Sequence, residues 1–78
     1  MTKGQTKVKR YLDGVGNGAK DADKVRNFGK MIGILVSQEQ KDAAKSVAEA
    51  ITALVAGKDA AARVRKACTE VAKTLPNE

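Results

Sequence analysis

Residues suited to covalent or acid–base chemistry are few in this chain. It has one cysteine, Cys68, and no histidine. Histidine is the common neutral-pH acid/base and the commonest metal ligand, so its absence removes both at once. One cysteine without histidine makes neither a zinc site nor a Cys–His nucleophile pair. Cys68 falls on the apolar stripe of a helical segment and reads as a small buried hydrophobe rather than a reactive thiol. Asp21 and Asp23 are two apart and could both touch a cation, but Lys20 and Lys24 flank them. The longer ligand series of a calcium loop is also missing, and helix capping accounts for the pair. The segment from Gly14 to Lys20 invites a phosphate-loop reading. It fails the Walker spacing, has Asp21 where Ser or Thr is needed, and follows no strand; it reads as a linker. These patterns predict a protein that is not an enzyme and that carries no metal and no cofactor.

The chemistry that the chain does carry is positive charge. Fifteen basic and nine acidic residues give a net charge of +6 over 78 residues. The excess is uneven. Residues 1–20 hold five cations against Asp13, residues 37–56 are net −1, and Arg63, Arg65 and Lys66 crowd together near the C-terminus. A basic excess of this kind points to nucleic acid, an anionic membrane surface or an acidic protein as partner. Lys7, Lys9, Arg10, Arg63, Arg65 and Lys66 are the expected contacts to phosphates or to an acidic partner. The competing structural reading is a solvated surface that keeps an alanine-rich protein soluble. Tyr11 and Phe28, the only aromatics, both lie on apolar stripes, so stacking on single-stranded bases is not expected.

The elements that must position these residues are helical. Val8, Tyr11, Leu12 and Val15 recur at helical spacing after a Thr2-x-x-Gln5 capping pattern, with Thr6 as the other possible start. Lys3, Lys7, Lys9 and Arg10 crowd the positive end of that helix's dipole, and Asp13 sits near the negative end. The expectation is a weak helix in a basic, mobile arm over residues 1–20, followed by a glycine hinge at Gly14, Gly16 and Gly18. A second helix over 22–36 carries Val25, Phe28, Met31, Ile32 and Leu35 after an Asp21 cap. Gly29 and Gly33, one turn apart within it, suggest close approach of another backbone. Ser37-Gln38-Glu39-Gln40 reads as a capping box that opens a third helix over 38–56, closed by Gly57. Its stripe is Ala44, Val47, Ala48, Ile51, Leu54 and Val55, widened by Ala43, Ala50 and Ala53. Asp59 caps a fourth helix over 59–75, with Val64, Ala67, Cys68, Val71, Ala72 and Leu75 facing inward and Pro76 beyond. The Ser37 and Gly57-Lys58 connections are short enough to force helical hairpins.

The chain is therefore expected to be one all-α domain over residues 1–78, a small bundle of three main helices plus the weaker N-terminal one. A standard helix-turn-helix does not fit, because the apolar residues after Gly57 fall one position out of register. The longest apolar run is Met31–Val36, against the roughly twenty residues that a membrane span needs. No signal-peptide layout opens the chain, and the lone cysteine fits a reducing compartment, so the expected location is the cytoplasm. The large apolar residues are few: Val, Ile, Leu, Met and Phe total 18, beside 13 alanines. A core this thin gains from self-association, and a homodimer is expected through the alanine arc or the glycine pair. The leading function is a non-enzymatic nucleic-acid-binding or nucleoprotein-associated module. The alternative is a protein-interaction module, such as an inhibitor, adaptor or assembly subunit, that uses an apolar helix face flanked by the same cations.

Overall fold

The computed structural model describes residues 1–16 and 18–76, and these form four α-helices with no strand among them. They are α1 (Lys3–Asp13), α2 (Asp21–Ser37), α3 (Lys41–Ala56) and α4 (Ala60–Ala72). α1 packs on α2 and α4, and α3 packs on the same two helices, while the backbones of α1 and α3 stay apart. The four helices thus form a ring in which α1 and α3 are diagonal. Val8, Val15, Phe28, Met31, Leu35, Val47, Ala50, Leu54, Ala67 and Val71 meet at its centre.

α1 begins as its sequence dictates. Thr2 Oγ1 accepts a hydrogen bond from the Gln5 N–H, and Gln5 Oε1 accepts one from the Thr2 N–H, which completes the capping box. Contrary to the expectation of a loosely attached arm, the helix is packed. Val8 and Val15 are buried in the core, with Tyr11 and Leu12 against it. Fully burying one valine is worth roughly 1.5–3 kcal/mol. A badly placed charge at a helix end costs about 0.3–1 kcal/mol and only within the terminal turn. Of the four cations only Lys3 lies in the first turn, and Arg10 is in the last turn, where positive charge is favourable. Packing therefore outweighs the dipole conflict. Of the expected glycine hinge, Asn17 lies outside the described residues.

The expected close backbone approach at Gly29 and Gly33 is absent, and the glycines that do meet close neighbours meet side chains. Gly29 and Gly33 are exposed, and a Cβ at either would meet nothing within 4 Å. They lie on the solvent side of α2, away from Phe28, Met31 and Leu35. The tight places are Gly4 and Gly14 on the α1–α2 seam. A Cβ on Gly4 would run into the Gln38 side-chain amide and stand 3.2 Å from Ile34 Cγ2. At Gly14 it would stand 3.0 Å from Asn27 Nδ2, which donates to the Gly14 carbonyl at 3.4 Å.

The helix boundaries correct three other expectations. Lys20, not Asp21, occupies the cap position of α2, and Asp21 and Asp23 sit in its first turn, where they favour the dipole. Ser37 closes α2 instead of opening α3; its hydroxyl donates to the Ile34 carbonyl at 2.7 Å. Glu39 then takes a positive φ of 60°, and α3 starts after Gln40. Asp59 does precede α4, but at φ 52° and without a side-chain capping bond. The Gly57 stop is as expected: at φ 70° it donates its N–H to the Ala53 carbonyl at 2.9 Å.

α3 has two structural neighbours, yet its buried arc is rotated from the expected one. Ala43, Ala44, Val47, Ala50 and Leu54 define it, with Ser46 also buried; of the expected stripe Ala44, Val47 and Leu54 are therefore buried, while Ala48 is exposed and Val55 is 75% exposed. Val55 follows Leu54 directly, so it is turned about 100° off the core direction. Ala43 and Ala50, expected to extend a free arc, are spent inside the bundle.

Candidate nucleic-acid interface

The six cations expected to contact a partner are all exposed, and they fall into two groups. Lys7, Lys9 and Arg10 are on α1; Arg63, Arg65 and Lys66 are on α4. On α1, Lys7 and Arg10 are one turn apart and share a flank. Lys3, four residues before Lys7, extends the same flank, so the spacing 3-7-10 draws a single stripe. Lys9 points to the other side of the helix. The stripe is about 10 Å long from the helical rise. That matches the axial span of about three phosphates on one strand of a duplex.

A fourth cation joins the stripe from α2. Lys30 Nζ lies 5.7 Å from the centre of the Tyr11 ring, within cation–π range. Tyr11 is one turn after Lys7 on α1, so its half-buried ring places the Lys30 charge beside the α1 stripe. None of the four ion pairs among the described residues involves α1 or Lys30. The charge on this face is therefore not neutralised internally.

The α4 group is different. The Arg63 guanidinium donates to Glu49 Oε2 on α3 at 2.9 Å. Lys66, one turn on, shares a cleft with Asp42, Glu49 and Glu70 and with a second cation, Lys45. Arg65 is turned about 200° from Arg63 by the helical repeat and belongs to neither the bridge nor the cleft. The expected C-terminal cluster is thus one free cation and two cations facing acid. Sequence reading missed Lys30, which only the tertiary contact with Tyr11 reveals. The place of Lys3 on the same flank follows from its 3-7-10 spacing.

Cys68 is half-buried on α4. Burial pushes its thiol above the ordinary value of 9.0, and the nearby Lys24 ammonium draws it partly back. The reactive form is thus disfavoured where the residue sits. Among the described residues no group of three His, Cys, Asp or Glu side chains is placed to hold a metal ion. No helix among them is long and apolar enough to cross a membrane. No protein-family model, no curated protein and no solved structure matches this chain.

Proposed function

We propose that this chain is a non-enzymatic nucleic-acid-binding or nucleoprotein-associated module of the cytoplasm that holds phosphates on its α1 face. The observation that carries this reading is the unneutralised stripe of Lys3, Lys7 and Arg10, with Lys30 set beside it across Tyr11. Burial of Val8 and Val15 fixes the helix that bears it, so little ordering entropy opposes binding. Phosphate contacts of this kind release counterions and are insensitive to base sequence. Lys9 and Arg65 add charge at the edges. Arg63 and Lys66 contribute less, because their own carboxylates compete for them.

The test is retention from a host extract with and without nuclease. Partners that the chain holds through nucleic acid are released by the nuclease. A specific protein that stays bound after digestion would support the alternative, a protein-interaction module.

A further inference from the structure

The face formed by α1 and α2 offers a nucleic acid positive charge and little else. Phe28 is fully buried. Tyr11, the only other aromatic, is half-buried and has the Lys30 ammonium over its ring at 5.7 Å. No freely exposed ring therefore stands on this surface for a base to stack on. The neutral polar side chains of the two helices are engaged as well. Gln5 closes the cap of α1, and Thr6 Oγ1 donates to the Thr2 carbonyl at 3.1 Å. Asn27 donates to the Asp23 and Gly14 carbonyls, and Ser37 donates to the Ile34 carbonyl. What remains is Lys3, Lys7, Arg10 and Lys30, on helices that the core holds in place.

We infer that, given phosphate binding on α1 as proposed above, the ligand of this face is a double helix, held by its phosphodiester backbone in preference to a single strand. Two physical differences favour the duplex. Proteins that hold single strands stack successive bases on aromatic rings, and that stacking offsets the entropy lost when a flexible strand is ordered. With no ring on offer, a single strand bears that cost against charge alone. A duplex is already ordered, since it stays straight over roughly 150 base pairs. It also carries about one charge per 1.7 Å of its axis, against about one per 3.4 Å for either strand taken alone. Burial of Val8 and Val15 fixes the stripe of about 10 Å on α1, so neither partner reorganises to bring the two rows of charge together. With Gln5, Thr6, Asn27 and Ser37 tied to backbone, none of them is free to read the ribose 2′-hydroxyl, the group by which a protein tells RNA from DNA. The recognised chemistry is thus the double-helical backbone that DNA and RNA share.

The experiment is fluorescence anisotropy of the full chain with labelled probes of equal length and mixed sequence: a DNA duplex, an RNA duplex, and one strand of each chosen not to fold on itself. At low salt both duplexes bind about tenfold tighter than their single strands. Four phosphate contacts give a slope of log affinity on log salt of about −3.6 on the DNA duplex and about −2.8 on its single strand. Lys30→Gln, at an exposed position, reduces the duplex slope by about 0.9. A single strand that binds as tightly as its duplex overturns the inference and leaves phosphate binding on α1 standing. A duplex advantage confined to RNA also overturns it, because the sugar would then be read. Failure to bind any of the probes at low salt overturns both the duplex preference and the phosphate-binding reading beneath it.

Discussion

The Arg63 guanidinium stands 2.9 Å from the Glu49 carboxylate across the α3–α4 seam, which sets Arg63 apart from the α1 cations, unpaired among the described residues. Both side chains are partly exposed, so the bridge is worth at most about 1 kcal/mol and weakens with salt. Its larger effect is on which surface can attract an anion. Glu49→Gln should lower stability by less than about 1 kcal/mol in urea titrations at low salt, with almost no change at high salt. The same substitution should make phosphate binding slightly tighter, since it frees Arg63. A large loss of stability in both salts would mean that the bridge organises the seam.

Glycine substitutions should differ in size on the two sides of α2. Gly29→Ala and Gly33→Ala each place a methyl group in open solvent within a helix. Each should raise stability by about 0.5–1 kcal/mol. Gly4→Ala gains the same helix propensity within α1, but its methyl group displaces the Gln38 amide and presses on Ile34, so it should raise the thermal midpoint less than the other two. Thermal melts of the three variants decide the matter. Destabilisation by Gly29→Ala would reveal a contact on that face.

Much of the fold is legible in the residues. Thr2-x-x-Gln5 and Gly57 mark a helix start and a stop through local hydrogen bonds alone, and both act as their types predict. The stripe of Phe28, Met31 and Leu35 is equally plain. What fails is whatever depends on a neighbour. Ser37 matches a cap by type, yet its hydroxyl bonds back to Ile34 because the hydrophobic stripe carries α2 through it. Gly29 and Gly33 have the spacing of a contact, but Gly4 and Gly14 have the contact, since α2 turns another face to α1. The candidate site divides the same way. The stripe at Lys3, Lys7 and Arg10 follows from helical spacing, whereas the Lys30–Tyr11 approach and the Arg63–Glu49 bridge join residues too far apart in sequence for spacing to announce them.

Cys68 should label slowly in native buffer and faster on unfolding, because burial holds its thiol above 9.0. Lys24→Met removes the opposing charge and should slow native labelling further. The linkage has a definite sign. A pKa raised on folding contributes stability that is fully present below the unfolded thiol's pKa and is lost as pH rises through the folded value. Alkaline unfolding of the wild type should therefore begin earlier than that of Cys68→Ala measured against its own neutral-pH stability. Rapid labelling of the native protein at neutral pH would place the thiol at the surface.

The packing of Val8 and Val15 predicts that α1 is ordered before any partner arrives. Amide hydrogens from Lys7 to Asp13 should exchange slowly in the free protein, with protection lost in Val8→Ala. Removing two methyl groups from a buried valine should lower stability by about 1–3 kcal/mol. Fast exchange across α1 in the wild type would instead mean a helix that folds only on its partner.

The central claim is that α1 presents phosphate-binding charge on a fixed helix, and fluorescence anisotropy of labelled DNA and RNA oligonucleotides against salt tests it most directly. The four cations predict a slope of log affinity on log salt of about −3 to −4. Lys7→Glu with Arg10→Glu should reduce that slope by about 2 and weaken binding at least tenfold. The thermal midpoint should fall by only a few degrees, because both side chains are exposed and unpaired among the described residues and only the Arg10 charge favours its helix end. Arg63→Ala should change the slope by less than 1. Binding that is flat in salt, or that survives the double reversal, would contradict the account.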